Sequence, residues 1–297
     1  MTPPVLSDPD DPELPSIREA YADLVAATAR VRTPGLRDAL AAVPRERFLR
    51  PPPWLIVGQG EGRGPSPPSS SSDPRAIYAN VSVAIDPERQ LFNGAPASVV
   101  PLIDALRLRP GRRVLHVGAG LGYYSAVIAR VVGTSGAVVA VEVDETLLAD
   151  ARSNLADMPW VQVRSSDVAD AGAVFDAVLV NAGVTHPDAR WLDALEVGGR
   201  LIVPLTVSMP GPASSLGKGI VVAIERTTGE RFTAEMLSLV VIYSAVGLRD
   251  AAMESALSGA LRRIAFPNLA QLRRDAHDRD DACWLHGDRC CLSMEPA

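Results

Sequence analysis

The sequence predicts an α/β fold, a mostly parallel sheet with helices on both faces. Three observations carry that prediction. Apolar strand-like runs alternate with helical segments between Arg113 and Leu205; one buried run, ending at Val117, breaks into three alternate glycines, Gly118, Gly120 and Gly122, before a helix; and after Leu205 two strand-like runs are joined by a short turn. Alternation of this kind places parallel strands under helical cover, with ligands at the carboxyl ends of the strands. The two later runs read as an antiparallel pair at the sheet edge.

Composition bounds the function. With 297 residues, 47% hydrophobic and 22% charged, the chain is long enough for one large core with additions. The net charge of −6 comes with no basic stripe interleaved with aromatics, so no nucleic-acid partner is expected. The longest apolar stretches, such as 237–248, fall short of the roughly 20 residues that span a bilayer, and the Pro- and Asp-rich N-terminus has no apolar signal core. No membrane association is expected, and a soluble, cytoplasmic protein is. Cys283, Cys290 and Cys291 all lie in the last fifteen residues, so no disulfide framework holds the core, which fits a reducing compartment.

Residues 1–15 have too little apolar surface to offset the entropy of ordering and are expected to be disordered. Ser16-Ile-Arg-Glu19 has the form of a capping box, and Ile17, Ala20, Tyr21, Leu24 and Val25 recur on one helical face, so a helix is predicted over about 16–31. A second helix opens at Thr33-Pro34 and closes at Val43-Pro44. These form a helical N-terminal extension, 16–54. Gly, Pro, Ser and charge dominate 58–74, including four consecutive serines, so 55–76 reads as a flexible loop.

The main domain, 77–250, follows. Strand-like runs are predicted at 113–117, 137–143, 161–164, 175–181 and 200–205, and helical segments at 125–132, 145–155 and 189–195. The antiparallel pair is placed at 219–226 and 234–245, joined by Thr227-Thr-Gly-Glu230. A tail, 251–297, begins with a helix to about 275 that carries Leu257, Leu261 and Ile264 at helical spacing.

The glycine loop makes a site for a nucleotide-like cofactor. Glu142 ends the next apolar run, 20 residues past Gly122, where a carboxylate accepts hydrogen bonds from both hydroxyls of a ribose. Together they read as an adenosine pocket. A dinucleotide fingerprint would need glycine where Tyr123 stands, which weighs against hydride transfer, and no Gly-Lys-Ser/Thr follows, which excludes a P-loop. Asp167 ends the third strand-like run and is either an acceptor for an exocyclic amine or a turn and cap residue. Asn181 ends the fourth and is either a turn residue before Ala182-Gly183 or a ligand contact.

These residues resemble class I S-adenosylmethionine-dependent methyltransferases, and among them the protein-L-isoaspartate O-methyltransferase family, over about residues 35–247. The loop from Val114 to Gly122 with Tyr123-Tyr124 looks like that family's cofactor loop. Val141-Glu142-Val143-Asp144 looks like its ribose segment, and Gly198-Gly199-Arg200-Leu-Ile-Val-Pro204-Leu205 is similar to its fifth strand. More specific is Leu40-Ala-Ala-Val43-Pro44-Arg45-Glu46-Arg47-Phe48, which looks like the stretch leading into the family's substrate cleft. The resemblance implies a Rossmann-like, seven-stranded, mostly parallel sheet with an antiparallel edge strand, a helical N-terminal extension and a helical tail. It implies S-adenosylmethionine as cofactor, held by Gly118, Ala119, Gly120, Gly122, Tyr123, Glu142, Val143, Asp167, Val168 and Asn181. Glu142 would hold the ribose, Asp167 the adenine amine, and Val143 would pack on the adenine face.

Two departures stand out. The family carries an acidic residue in the first strand where this chain has His116, which is either an altered contact near the cofactor or a core histidine. The family's Gln-Thr-Ile-Ser-x-Pro, whose Ser lies by the transferred methyl, is here Gln90-Leu-Phe-Asn93-Gly94-Ala95-Pro96, one residue longer and without the Ser. Asn93, the Gly94 amide and Ser98 are the candidates to serve instead.

Methyl transfer is an in-line displacement that rewards alignment, and an acceptor carboxylate, ionised at neutral pH, needs no general base. No acid/base pair announces itself, so a peptide or protein carboxylate is the expected acceptor. His186, in Val184-Thr-His186-Pro187, is then a binding or structural group, and only a hydroxyl acceptor would make it a base. Cys283-Trp-Leu-His286-Gly-Asp-Arg-Cys290-Cys291 matches no common zinc finger or ribbon and lacks a second ligand pair, so no metal is expected and Trp284 and Leu285 are expected to pack the tail on the body. The leading reading is an O-methyltransferase acting on an Asp or isoAsp side chain of a peptide or protein. Natural-product or small-molecule O-methylation, and a non-catalytic S-adenosylmethionine-binding interaction module, are the alternatives.

Overall fold

The computed structural model describes residues 11–58, 67–165, 173–211, 215–288 and 290–296. Two compact units divide them: one takes residues up to 111 together with 119–165, the other 112–118 together with those after 165. In chain order the helices are α1 (Leu14–Ala29), α2 (Leu36–Ala42), α3 (Pro96–Ala105), α4 (Tyr123–Val132), α5 (Glu145–Asn154), α6 (Ala189–Asp193) and α7 (Ala251–Arg263). The strands are β1 (Trp54–Val57), β2 (Ser69–Ser71), β3 (Ser82–Asp86), β4 (Leu91–Phe92), β5 (Arg113–Val117), β6 (Ala137–Val141), β7 (Val161–Arg164), β8 (Phe175–Val180), β9 (Leu195–Ser208), β10 (Leu216–Thr228), β11 (Arg231–Tyr243), β12 (Gln271–Arg273), β13 (Cys283–Gly287) and β14 (Cys290–Ser293).

In the first unit α1 starts two residues before the expected capping box. Pro15 fits the first turn, where its missing N–H costs nothing, and Leu14 is buried, so residues 11–15 are partly helical and not disordered. Ser16 therefore lies inside the helix, where its hydroxyl donates to the Glu13 carbonyl at 2.8 Å. Residues 1–10 lie outside the described residues. Gly35, at φ 77°, caps α2, so Pro34 precedes the helix instead of opening it.

The loop expected over 55–76 contains structure. Ser69, Ser70 and Ser71 pair antiparallel with Ile56, Leu55 and Trp54, giving an antiparallel sheet of order β2-β1-β3-β4. Serine has little intrinsic preference for strands, and what recruits it here is the open backbone edge of β1. Residues 59–66 lie outside the described residues. In the same unit β6 and β7 are parallel neighbours, with Val138 opposite Val161 and Val141 opposite Arg164.

In the second unit β5, β8 and β9 are parallel, β10 runs antiparallel to β9 and β11 antiparallel to β10, as the alternation and the later strand pair predict. Val114, Val178, Leu179, Leu201 and Ile202 are fully buried, so this sheet carries the core on near-continuous apolar runs. His116, opposite Leu179 in β5, is fully enclosed, and burial pushes its imidazole down to about 4. It is a neutral core histidine.

The sheet does not end at the expected edge strand. β12 pairs with β11, β14 with β12 and β13 with β14, so the tail adds three strands beyond β11. α7 stops at Arg263 rather than near 275. Ile264 is extended at φ −143°, and Pro267 cannot continue a helix. No helix among the described residues is long and apolar enough to cross a membrane.

Candidate active site

The strand-to-helix loop after β5 owes its shape to glycine. Gly120 and Gly122 hold φ 56° and 96°, and Gly122 caps α4 in the left-handed region, where a Cβ would meet Leu155 Cδ1 at 2.8 Å. Glu142, just past β6, reaches back to this loop. Its Oε2 accepts the Gly120 N–H at 2.8 Å and its Oε1 the Asp144 N–H at 3.0 Å. Burial raises the Glu142 carboxyl above its ordinary range, against the backbone N–H bonds that pull it down. Val143, next along, is 49% exposed, an open apolar side chain beside a buried carboxylate. Asp144 caps α5 on the N–H groups of Thr146 and Leu147, and its bond to Arg89 holds it below the usual carboxylate range.

Tyr123 contributes differently from the expectation. Its ring is buried and its hydroxyl meets that of Tyr21 at 3.1 Å, so its side chain belongs to the packing of α1 on α4. Burial accordingly raises its phenol well above the ordinary value.

The segment that departs from the family lies against this loop. Ile85 of β3 clusters with Leu121 and Leu147, with Leu91 packed on them, so the β3–β4 hairpin rests on the glycine loop and the start of α5. Asn93 closes that hairpin. Its side-chain oxygen accepts the Val83 N–H at 2.7 Å while its own N–H donates to the Val83 carbonyl at 2.9 Å. Gly94 gives its carbonyl to the Tyr124 hydroxyl at 2.6 Å, and a Cβ there would stand 2.4 Å from Val99 Cγ2. Ser98 is exposed in the first turn of α3, and Asn80 accepts the Ala97 N–H at 2.9 Å, capping that helix from 17 residues upstream.

Beneath this surface the stretch 40–48 is organised by Arg45, which is fully buried. Its guanidinium donates to the carbonyls of Ile77, Ala79 (3.2 Å) and Val81 (2.6 Å), and it lies over the rings of Tyr21 and Tyr123. Glu46 bonds the Tyr78 hydroxyl and Arg18, and burial raises the Tyr78 phenol. The resemblance places Arg45 in a substrate-cleft stretch, but its buried hub is not visible from spacing, because the carbonyls it serves lie more than thirty residues away.

The remaining expected residues fall in the second unit. Gly118, at φ 83°, approaches Asn181 so closely that a Cβ would lie 3.2 Å from the Asn181 carbonyl oxygen, and the Asn181 N–H donates to the Val117 carbonyl at 2.8 Å. His186 Nδ1 lies 3.0 Å from the Thr185 hydroxyl, which also accepts the Asp250 N–H at 3.1 Å. Asp167 and Val168 lie outside the described residues.

Comparison with known proteins decides the family. The chain matches the protein-L-isoaspartate(D-aspartate) O-methyltransferase family over residues 71–226. It is 36% identical over 216 residues to the protein-L-isoaspartate O-methyltransferase of Methylorubrum extorquens, an alignment covering 71% of this chain and 82% of that one. The chain belongs to this family. A second isoaspartate methyltransferase, from Rhodopseudomonas palustris, is 31% identical over 194 residues, covering 64% of this chain and 75% of the relative. Among solved structures, a protein-L-isoaspartate O-methyltransferase superposes with a TM-score of 0.57 at 20% identity, covering 85% of this chain and 72% of that one. A Plasmodium falciparum relative described as a complex with S-adenosyl-L-homocysteine superposes with a TM-score of 0.54 at 16% identity, covering 76% and 97%. These likenesses show the class I methyltransferase fold.

Proposed function

We propose that this family member transfers a methyl group from S-adenosylmethionine to a carboxylate of a peptide or protein, the isoaspartyl side chain first among candidates. The observation that supports it most directly is the Glu142 carboxylate bonded to the Gly120 N–H, beside the open Val143 side chain. Two backbone N–H bonds leave lone pairs on Glu142 for a ribose diol, so the donor set fits the cofactor. Gly120, Glu142 and Val143 are proposed to hold it, and the family resemblance adds Gly118, Asn181, Asp167 and Val168.

When bound, S-adenosylmethionine supplies a methyl group on a sulfonium, which an ionised carboxylate accepts without a general base. The chain's part is to align and to exclude water. The β3–β4 hairpin, held by Asn93 and Tyr124, fixes segment 90–96 against the glycine loop, and such positioning lowers the barrier by several kcal/mol. His186, with Nδ1 engaged by Thr185, serves as a positioning or binding group. Loss of turnover in His186→Ala with cofactor affinity intact would instead assign it as base to a hydroxyl acceptor.

A second reading, an ordinary aspartyl carboxylate in a specialised peptide, is favoured by Asn93, whose side-chain oxygen is used inside the hairpin where the family carries Ser. Incubation with methyl-labelled cofactor and matched isoaspartyl and aspartyl peptides separates the readings. Base-labile label in the isoaspartyl peptide is expected; label only in the aspartyl peptide selects the second reading. Calorimetric cofactor binding with label in neither leaves an interaction module.

A further inference from the structure

We infer that His277, Cys283, His286 and Cys291 form a zinc site that clasps the C-terminal hairpin. Each offers one ligand atom, and the four atoms lie within 4.8 Å of one another. Tetrahedral zinc, with bonds of about 2.3 Å to sulfur and about 2.0 Å to nitrogen, wants ligand atoms roughly 3.3–3.8 Å apart. His277 Nε2 and Cys283 Sγ already stand 3.6 Å apart, so small side-chain rotations close the set.

The strand register explains the convergence. His286 and Cys291 are direct cross-strand partners in the β13–β14 hairpin. In a regular strand Cys283 and His286, three residues apart, would point to opposite faces. A register shift between Cys283 and Leu285 moves Cys283 opposite Ser293, onto the face that Cys291 shares at i+2. His277 enters from the preceding loop. Sequence spacing shows three cysteines and one histidine with no second ligand pair, whereas the bulge and this loop bring His277, Cys283, His286 and Cys291 together.

The chemistry around the four is that of a ligand set. His277 Nδ1 lies 2.9 Å from the Asp275 carbonyl oxygen and 3.4 Å from the Asp275 carboxylate, so Nδ1–H donates and the Nε2 lone pair is turned to the cluster. His286 Nδ1 is buried with no hydrogen-bond partner among the described residues. Cys283 and Cys291 are each 1% exposed and unbridged. Two thiolates neutralise one divalent zinc, and thiolate with imidazole favours it over magnesium or calcium. With every coordination position filled by protein the site is structural, not catalytic.

Its mechanical role follows from the neighbours. Arg263 donates to the carbonyls of Cys283 (3.1 Å) and Trp284 (2.7 Å), and Trp284 Nε1 donates to the Ile264 carbonyl at 2.9 Å, so β13 is tied to the end of α7. Zinc would fix the 274–282 loop to that assembly. The tetrad lies wholly beyond residue 226, where the family match ends.

Metal analysis of the full, untagged chain tests this. About one zinc per chain is expected, with a loss of about tenfold or more in Cys283→Ser and in Cys291→Ser and none in Cys290→Ser, which lies outside the tetrad. Cobalt substitution of the wild type should give the visible bands of tetrahedral thiolate coordination, and a strong chelator should lower Tm reversibly, restored by zinc and not by magnesium. Absence of both bound zinc and a cobalt spectrum in the wild type overturns the proposal, as does a Cys283–Cys291 disulfide in the native protein. The wild-type measurements stand even where a serine variant fails to fold.

Discussion

The Glu142 carboxylate accepts the backbone N–H of Gly120 at 2.8 Å, so the residue proposed to bind the ribose also pins the glycine loop. Replacing it therefore removes a ligand contact and loosens the loop together. Glu142→Gln keeps the shape but loses the charge that strengthens each bond, worth about 1.5–3 kcal/mol. Cofactor affinity should fall by about 10- to 100-fold by calorimetry. An unchanged affinity would remove Glu142 from the cofactor site.

His116 gives stability a pH dependence that is separable from the carboxylates. Its folded value of about 4 lies below the ordinary 6.5, so on acidification the unfolded chain takes up a proton before the folded one does. The contribution of this group is fully present above pH 6.5 and is lost as the pH falls towards 4, on the order of 3 kcal/mol in all. In urea unfolding at a series of pH values, the stability difference between wild type and His116→Leu should drift by that amount across this window. A constant difference would show that His116 takes up its proton alike in both states.

The parts of the fold that were legible in the sequence are those whose cause is local. Strand, alternate glycines and helix lie within a dozen residues, so the turn from Val117 into α4 could be read from spacing, and Glu142 from the length of one βα unit. Arg45 could not, since its role depends on carbonyls at 77–81, and neither could Asn80, which caps a helix 17 residues on. The β1–β4 sheet was hidden for another reason. Its strands are two to five residues long and one is all serine, too short for a period-two pattern to rise above loop composition. The metal tetrad depends on a bulge, which shifts the side-chain parity that any spacing rule assumes.

Asn93 offers a way to separate architecture from acceptor contact. Its side-chain oxygen holds Val83 N–H across the hairpin, so Asn93→Ala should cost about 1 kcal/mol in stability and slow methyl transfer, with cofactor affinity unchanged. Asn93→Asp keeps an acceptor oxygen in place. If the hairpin is what matters, Asp restores both stability and rate; if the amide touches the acceptor, Asp restores stability alone. Denaturation midpoints and kcat/KM on the labelled peptide, measured together, distinguish the two.

Arg45 should be the most sensitive position outside the cofactor loop. Its guanidinium is fully buried and serves the carbonyls of Ile77, Ala79 and Val81, while the Tyr21 and Tyr123 rings take its face. Arg45→Ala strands those carbonyls, at about 1–3 kcal/mol each, and opens a cavity beside two tyrosines. A loss of at least about 3 kcal/mol in urea unfolding is expected, a large part of a typical domain's stability. Arg45→Lys keeps the charge but cannot span three acceptors from one planar fork, so it should fall between wild type and Ala. Were Lys as stable as Arg, charge burial over the tyrosine faces would explain the hub, and the carbonyl geometry would not.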